Sequence, residues 1–586
     1  MGLEYVDSSH DKNGCDVQLF SGRCVQNLVE NIDTPASHHD NNLEANTERA
    51  KWKPDVKEWL MIISACLLVT MDALNVTVVI PLIPSLSSTL ERALGGILWI
   101  EASYLIASAT GQAVFAMLTD LIGAGPIVLS AVVLATAGTG VCSGSMNLAS
   151  LIAGRFVQGI GGGAVMAYSI LVMADIIPDM FLAHYSGYLF RARVIGSMLG
   201  LVLGGLFSDY TSRIWAFYAS FAFCALGLLI IPFAVDLRGR RSISMRKLRS
   251  MCWLSVVLSL VGMGCLLIGL SLGGTFYPWS SWRVLVPLCL GTGVVLLVVL
   301  YESIWATRSI FIAADIQCLP RAMMYLSSFL HGFSLLSHLL NLPMYLILIQ
   351  RLTPTLSGLS LLTVTAPSLP ALLLVSRWSW LHRPRTLRWI IRAGWAIGLL
   401  VSCAFITLDM HTPPQAWVFI FLATGISHAL LTSGYHRCLQ HRPRSHSSSG
   451  RWKSDSSSTT TNNAGEPHTE VSKGGMLLYS ILRTWGMCIA VTVSGTIVLG
   501  QVVREMGDQK GVDILGLGGN VTQGDDGGSS MMMMMLLMMM GDSGGKNGNE
   551  GEMAVLRGMY MDGLQALWRV LLGVVALGGL CSCFAR

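Results

Sequence analysis

Two carboxylates, one guanidinium and a pair of imidazoles lie inside stretches that are otherwise almost wholly apolar. Asp72 falls in a run from about residue 59 to 83, Glu101 in one from 96 to 118 and Arg155 in one from 147 to 176. Each run is long enough to cross a bilayer. Even the lower insertion scales put about 2.5–3.5 kcal/mol on a central Arg, so Arg155 should face protein or water. A carboxylate in the same setting is a candidate proton carrier: low dielectric favours the neutral acid, and a nearby guanidinium favours the anion. His331 and His338 are seven apart, hence on one helical face. Two imidazoles alone make no metal site, and packing or cavity lining is favoured over a proton relay.

Asp72 and Arg155 both lie well inside their runs, and an Asp72–Arg155 interaction is expected where those two runs pack side by side. Two readings of Asp72 stand: a carboxylate that exchanges its proton as the guanidinium moves, or one fixed in a structural pair. Glu101 is read as an outer-vestibule carboxylate exposed to water, with a second proton site as the alternative. Gly159 and Gly163, four apart, let another backbone approach the helix that carries Arg155.

The elements that hold these residues follow from composition. The chain has 586 residues, 52% hydrophobic and only 12% charged, against about 25% charged in soluble domains. Its mean hydropathy is +0.58. Fourteen apolar runs, near 59–83, 96–118, 125–144, 147–176, 188–208, 215–235, 252–273, 284–302, 322–349, 357–376, 389–408, 416–435, 475–500 and 566–584, predict an all-α polytopic membrane protein. Unbroken runs of this length exclude a transmembrane β-barrel, whose strands are short and alternate. The 14 cysteines contain no CxxC pair and read as small buried hydrophobes, with no disulfide framework and no metal site. No Walker lysine motif, HExxH or GxSxG occurs in a fitting context, which argues against ATP hydrolysis and membrane proteolysis; no enzyme activity and no cofactor are expected.

Charge placement sets the expected orientation. Arg49, Lys51, Lys53 and Lys57 precede the first run, Arg238 to Arg249 separate the sixth from the seventh, and further Lys/Arg clusters follow the tenth and twelfth. An even number of spans precedes each cluster, so all fall on one side, predicted cytoplasmic together with both termini. The loop from about 503 to 560 is acidic and carries Asn520-Val521-Thr522, a glycosylation acceptor pattern suited to the outer face. Asn75-Val76-Thr77 also matches but lies within the first run.

The chain thus divides into a disordered cytoplasmic tail (1–57), six spans (58–236), a basic loop (237–251), two additional spans (252–305) and six more (320–586). Low-complexity inserts fall near 444–465 and 511–551. The second contains Met531–Met535 and Met538–Met540, too short to span; repeat slippage is favoured there over a cuprous-ion site.

Several motifs together resemble the fungal fourteen-spanner drug:proton antiporter branch of the major facilitator superfamily. Met71-Asp72-Ala73-Leu74-Asn75-Val76-Thr77-Val78-Val79-Ile80-Pro81 resembles LDxTIVxxALP, and Trp99-Ile100-Glu101-Ala102-Ser103-Tyr104-Leu105 resembles Wxx(T/A)(S/A)YLL. Arg155 to Gly163 matches RxxQGxGxG, and Gly196, Gly200, Gly204 and Gly205 fit GxxxGPxxGG with Leu201 in place of its Pro. Arg483-Thr484-Trp485-Gly486 resembles FRxxG, with Arg483 read as structural. Where the superfamily shows GxLxDRxGRR, Asp120 and Gly123 remain, but the basic positions are Leu121, Ala124 and Gly125.

The resemblance implies two six-helix bundles plus two linker helices, rocking about a midplane cavity. It implies proton-coupled efflux of small amphipathic organic compounds across a fungal plasma membrane, with the vacuolar membrane as the alternative. The expected partners are a small-molecule substrate, protons and the lipid bilayer, without nucleic acid, and a monomeric state. Asp72, Glu101 and Arg155 are the proton-coupling candidates, and Tyr104, Gln158 and His331 the substrate-cavity candidates. Asp120, Gly123, Gly159 and Gly163 are gating and packing positions, and the Gly196/Gly200/Gly204 stripe is expected at the interface between the halves. A decayed, non-transporting sensor or scaffold, and proton-coupled uptake of a siderophore-like chelate, are the competing readings.

Overall fold

A computed structural model describes residues 53–90, 94–211, 214–235, 253–304, 319–377, 384–442, 470–471, 473–508 and 550–584. The tail before residue 53, the basic loop at 237–251, the 444–465 insert, the Met-rich run and Asn520 lie outside the described residues.

Among the described residues fourteen helical segments are long and apolar enough to cross a membrane: Val56–Leu86, Gly96–Thr119, Ala124–Ser143, Leu148–Ile176, His184–Tyr210, Ile214–Ala234, Trp253–Leu272, Trp282–Glu302, Leu319–Ile349, Pro354–Leu374, Arg385–Ile406, Pro414–Cys438, Gly474–Glu505 and Ala554–Phe584. They are numbered here spans 1 to 14. Each overlaps the run expected at its place, because a stretch of bilayer thickness is a local property of sequence. The strands described are two-residue pieces, His441–Arg442 and Glu470–Val471, paired antiparallel between spans 12 and 13.

Local chemistry explains the irregularities. Pro81 has no N–H to give to the helix, and span 1 tightens into a 3-10 turn at Ile80–Leu82. Pro343 in span 9 is followed by a π-helical turn at Tyr345–Ile349. Asn147 caps span 4, its side chain accepting from the Ser150 N–H at 2.8 Å. Between spans 2 and 3, Gly123 has a φ of 99°, a conformation that favours glycine.

Spans 1–6 and 9–14 form two six-helix bundles. In the first, span 4 packs on spans 2 and 3, span 3 on span 6, and span 5 against span 1; in the second, span 9 packs on spans 13 and 14, and span 11 on spans 12 and 14. The bundles meet along two seams, span 2 against span 13 and span 5 against span 10. The second and fifth helices of one bundle thus face the fifth and second of the other. Spans 7 and 8 pair with each other, and span 7 lies against both span 2 and span 13. Span 8 leaves Val286, Leu290, Leu296 and Leu300 more than half exposed, an apolar outer face suited to lipid.

Candidate functional site

The charged residues of the first bundle converge. Span 4 can come close to its neighbours because its glycines face different helices: a Cβ at Gly159 would overlap the Tyr104 carbonyl, one at Gly163 the Ser108 carbonyl, and one at Gly161 the Ala135 amide. The first two contacts fix span 2 and the third fixes span 3. A Cβ at Gly162 would overlap both Asp72 Oδ1 and the Tyr104 hydroxyl. Only a hydrogen at that position leaves room for these two groups to meet.

Arg155 is fully buried. Its Nη2 donates to Glu101 Oε2 at 2.7 Å. Its Nη1 donates to the Asn75 carbonyl at 3.0 Å and to Gln158 Oε1 at 2.8 Å, and Nε to the Ile100 carbonyl at 3.4 Å. The guanidinium carbon lies 4.3 Å from the Tyr104 ring centre. Four of five N–H groups and one π face are therefore engaged, the condition under which a buried guanidinium is tolerated. Gln158 continues the network by donating to Thr139 Oγ1 at 2.8 Å.

Asp72 is held differently. The Tyr104 hydroxyl donates to its Oδ1 at 2.7 Å, and its Oδ2 lies 3.9 Å from Nη1 of Arg193 on span 5. Asn75, one turn further along span 1, accepts a short hydrogen bond from Ser220 on span 6. With both carboxylates ionised, Arg155, Glu101, Asp72 and Arg193 would sum to no net charge.

This arrangement corrects several expectations. Arg155 takes Glu101 as its carboxylate, not Asp72; it sits beside Asn75, one turn beyond Asp72, where the carboxylate of span 2 is nearer. Glu101 is 1% exposed, so it is a buried ion-pair member and not a carboxylate open to water. The Gly196/Gly200/Gly204 stripe packs within the first bundle, against Thr70, Thr77 and Val78 of span 1. Helical spacing of four gave these glycines one face; Gly205, a further 100° round, is the residue that meets Pro354 of span 10 across the seam. Asp120 falls in the last turns of the helix Leu94–Ile122, and its side chain lies outside the described residues.

Between the bundles is a narrow void, with room for about one water, whose lining includes Met166, Phe190, Arg193, Tyr479, Arg483 and Thr484. Tyr104, Gln158 and His331 do not line it. The first two are turned into the charge network, and His331 is sealed inside the second bundle, its ring 5.4 Å from His428 and 6.0 Å from Tyr435. His338 joins the same cluster, its Nδ1 3.2 Å from His428 Nε2. Among the described residues no group of His, Cys, Asp and Glu could hold a metal ion. The bundles touch on both sides of the void: Ser186 pairs with His436 at 3.2 Å, Gln112 donates to Thr484 at 3.2 Å, and the Thr355 N–H donates to Asp209 at 2.8 Å.

Sequence reasoning missed Arg193, Gly162 and His428. Arg193 carries the same signal as Arg155, a charge within an apolar run. Gly162 could have been found as the one glycine of its triplet left without a neighbour once Gly161 and Gly163 are assigned. His428 has no local signal.

The arrangement is that of a polytopic helical membrane protein with a polar centre between two helical bundles. The profile of the Major Facilitator Superfamily matches residues 65–450, and the chain belongs to that superfamily. It is similar to the MFS transporter L2 of a Phoma species, at 27% identity over 67% of this chain and 65% of the relative. It is also similar to the MFS efflux transporter aclA of Aspergillus oryzae, at 24% identity over 76% of each chain. The MFS-type efflux pump LUC4 of a Fusarium species is 28% identical over 60% of this chain and 63% of its own length. The chain thus spans somewhat under two thirds of two of these three relatives. Among solved structures, the human organic anion transporter MFSD10 superposes with a TM-score of 0.51 at 14% identity, over 90% of this chain and all of that one, a likeness of fold. A bacterial homologue of the human lysosomal transporter Spinster, inward-facing and occupied, gives the same TM-score at 12% identity over 91% and 97%.

Proposed function

We propose that the protein is a secondary active transporter that exports small amphipathic organic compounds by proton-coupled alternating access, the two bundles rocking about the void between them. The observation that carries this reading is Arg193, which lines the void and also reaches Asp72 at 3.9 Å. A change in charge at Asp72 is felt at the place where cargo would sit. The Arg155–Glu101 pair is the fixed scaffold of that site and Asp72, held by one neutral hydroxyl and one distant guanidinium, is its proton-exchanging member. The names of the fungal relatives, two of them efflux proteins, support the direction of transport. Both termini are cytoplasmic in this reading, the membrane is the plasma membrane, and the working unit is one chain.

The test uses sealed vesicles carrying the full chain, an imposed proton gradient and a panel of fluorescent amphiphiles. The gradient should drive accumulation, and Asp72→Asn should abolish the driven component. Flux in the unsubstituted protein that ignores the gradient would sink proton coupling. Absence of any flux, with altered gene expression on deletion, would favour the sensor reading that the missing basic residues at Leu121, Ala124 and Gly125 motivate.

A further inference from the structure

The buried arginines of the two bundles differ in how they are satisfied. Arg155 has a carboxylate, two carbonyls and an amide oxygen around it. Arg483, on span 13, is 8% exposed, lines the void, and has no hydrogen bond or ion pair among the described residues; its Nε is buried without an acceptor. Arg193, facing the same void from span 5, has only a distant carboxylate at 3.9 Å and the weak acceptor sulfur of Met166 at 3.1 Å. The Tyr479 hydroxyl, also on the void, is buried without a partner. Among the described residues no Asp or Glu lines this space. Two guanidinium groups and a phenol thus present unused donors to one narrow void, an arrangement costly to bury unless something accepts from them.

We infer that this void, widened as the bundles part, is the headgroup subsite of an organic anion, with Arg483 and Arg193 gripping a carboxylate between the bundles and Tyr479 donating to it. A guanidinium fork matches the two oxygens of a carboxylate. Met166, Met476, Ile170 and Phe190 beside it offer the adaptable apolar wall that an amphipathic body needs. Because Arg193 belongs to the first bundle and Arg483 to the second, one anion bridging them would draw the bundles together, so binding itself favours the occluded state. Export of an anion from a compartment at negative potential is electrically downhill, which makes such cargo compatible with efflux.

The inference rests on the transporter reading for its biological sense but is tested separately from it. The full chain, purified and placed in proteoliposomes, is offered dansylaminoundecanoate, an amphipathic fluorescent carboxylate, and its neutral methyl ester, with binding read by dansyl fluorescence and transport by accumulation. The acid is expected to bind at least about tenfold more tightly than the ester. Arg483→Gln and Arg193→Gln should each remove about tenfold or more of that preference, read as the ratio of acid to ester affinity within the same variant, and Arg483→Lys should restore part of it. Acid and ester bound alike, neither bound, or an acid preference that survives both Gln variants would overturn the inference. Should Arg483→Gln fail to fold, Arg193→Gln and Tyr479→Phe carry the test, the latter with a smaller loss. Ester moved by the gradient without acid preference leaves the transporter reading standing and removes the anion site; acid bound selectively but never moved does the reverse.

Discussion

In the first bundle the buried polar groups close upon one another: Arg155 meets Glu101, Asn75 and Gln158, and Tyr104 meets Asp72. In the second bundle the corresponding depth holds His331, His338 and His428, linked by one contact of 3.2 Å, and both ring nitrogens of His331 are buried without an acceptor or donor. One half contains a network in which opposite formal charges meet; the other contains a cluster of imidazole rings stacked on Phe405 and Tyr435, with Arg483 apart from them on the void. A buried network with nearly every donor engaged holds one geometry, whereas loosely satisfied rings hold it weakly. In the proposed cycle the first bundle would be the rigid carrier of the coupling site, and the second the partner that moves against it.

The sharpest way to break this contrast is to remove one member of the Arg155–Glu101 pair. Arg155→Gln leaves an uncompensated carboxylate in a site 1% exposed, so a loss of about 3–5 kcal/mol is expected, read as a large fall in the thermal midpoint of the detergent-solubilised chain. The double variant Arg155→Met with Glu101→Leu removes both charges and should recover much of that loss. A double variant as damaged as the single one would mean that the pair is not a unit, and the rigid-carrier reading would fail.

A second variant separates geometry from charge. Gly162→Ala adds one methyl where Asp72 Oδ1 and the Tyr104 hydroxyl meet. Overpacking of this kind costs about 1–3 kcal/mol. The larger expected effect is on gradient-driven flux, because Tyr104 must withdraw from Asp72 to make room. Flux unaffected by the methyl would show that the Tyr104–Asp72 bond of 2.7 Å plays no part in coupling.

These residues also show what a sequence discloses. The spans, Arg155 and Glu101 are legible because a charge inside an apolar run of bilayer length is a local event. The partner of Arg155 is not, since Glu101 lies 54 residues away and their meeting depends on how closely Gly159 and Gly163 allow span 2 to approach. The stripe from Gly196 to Gly204 declares a face by its spacing, but whether that face looks at span 1 or span 10 is decided by the rotation of the whole helix. Gly123 is legible only through its place in the superfamily's loop motif; the positive φ that calls for glycine there belongs to the folded turn between spans 2 and 3. His331 and His338 announce themselves at a spacing of seven, while His428, 90 residues from His338, enters their cluster only through the packing of span 12.

That third histidine supplies the mildest test of the contrast. His428→Leu removes the contact to His338 and leaves that ring without its hydrogen bond, a cost of about 1–2 kcal/mol offset in part by the apolar replacement. No bond from His428 to the first bundle is among those described, so gradient-driven flux should persist near the unsubstituted level once the amount of folded protein is matched. If flux instead disappears while the thermal midpoint stays within a few degrees, the second bundle holds a proton-exchanging group of its own. The division into a carrier with the coupling site and a partner without one would then have to give way to two coupling sites, one on each side of the void.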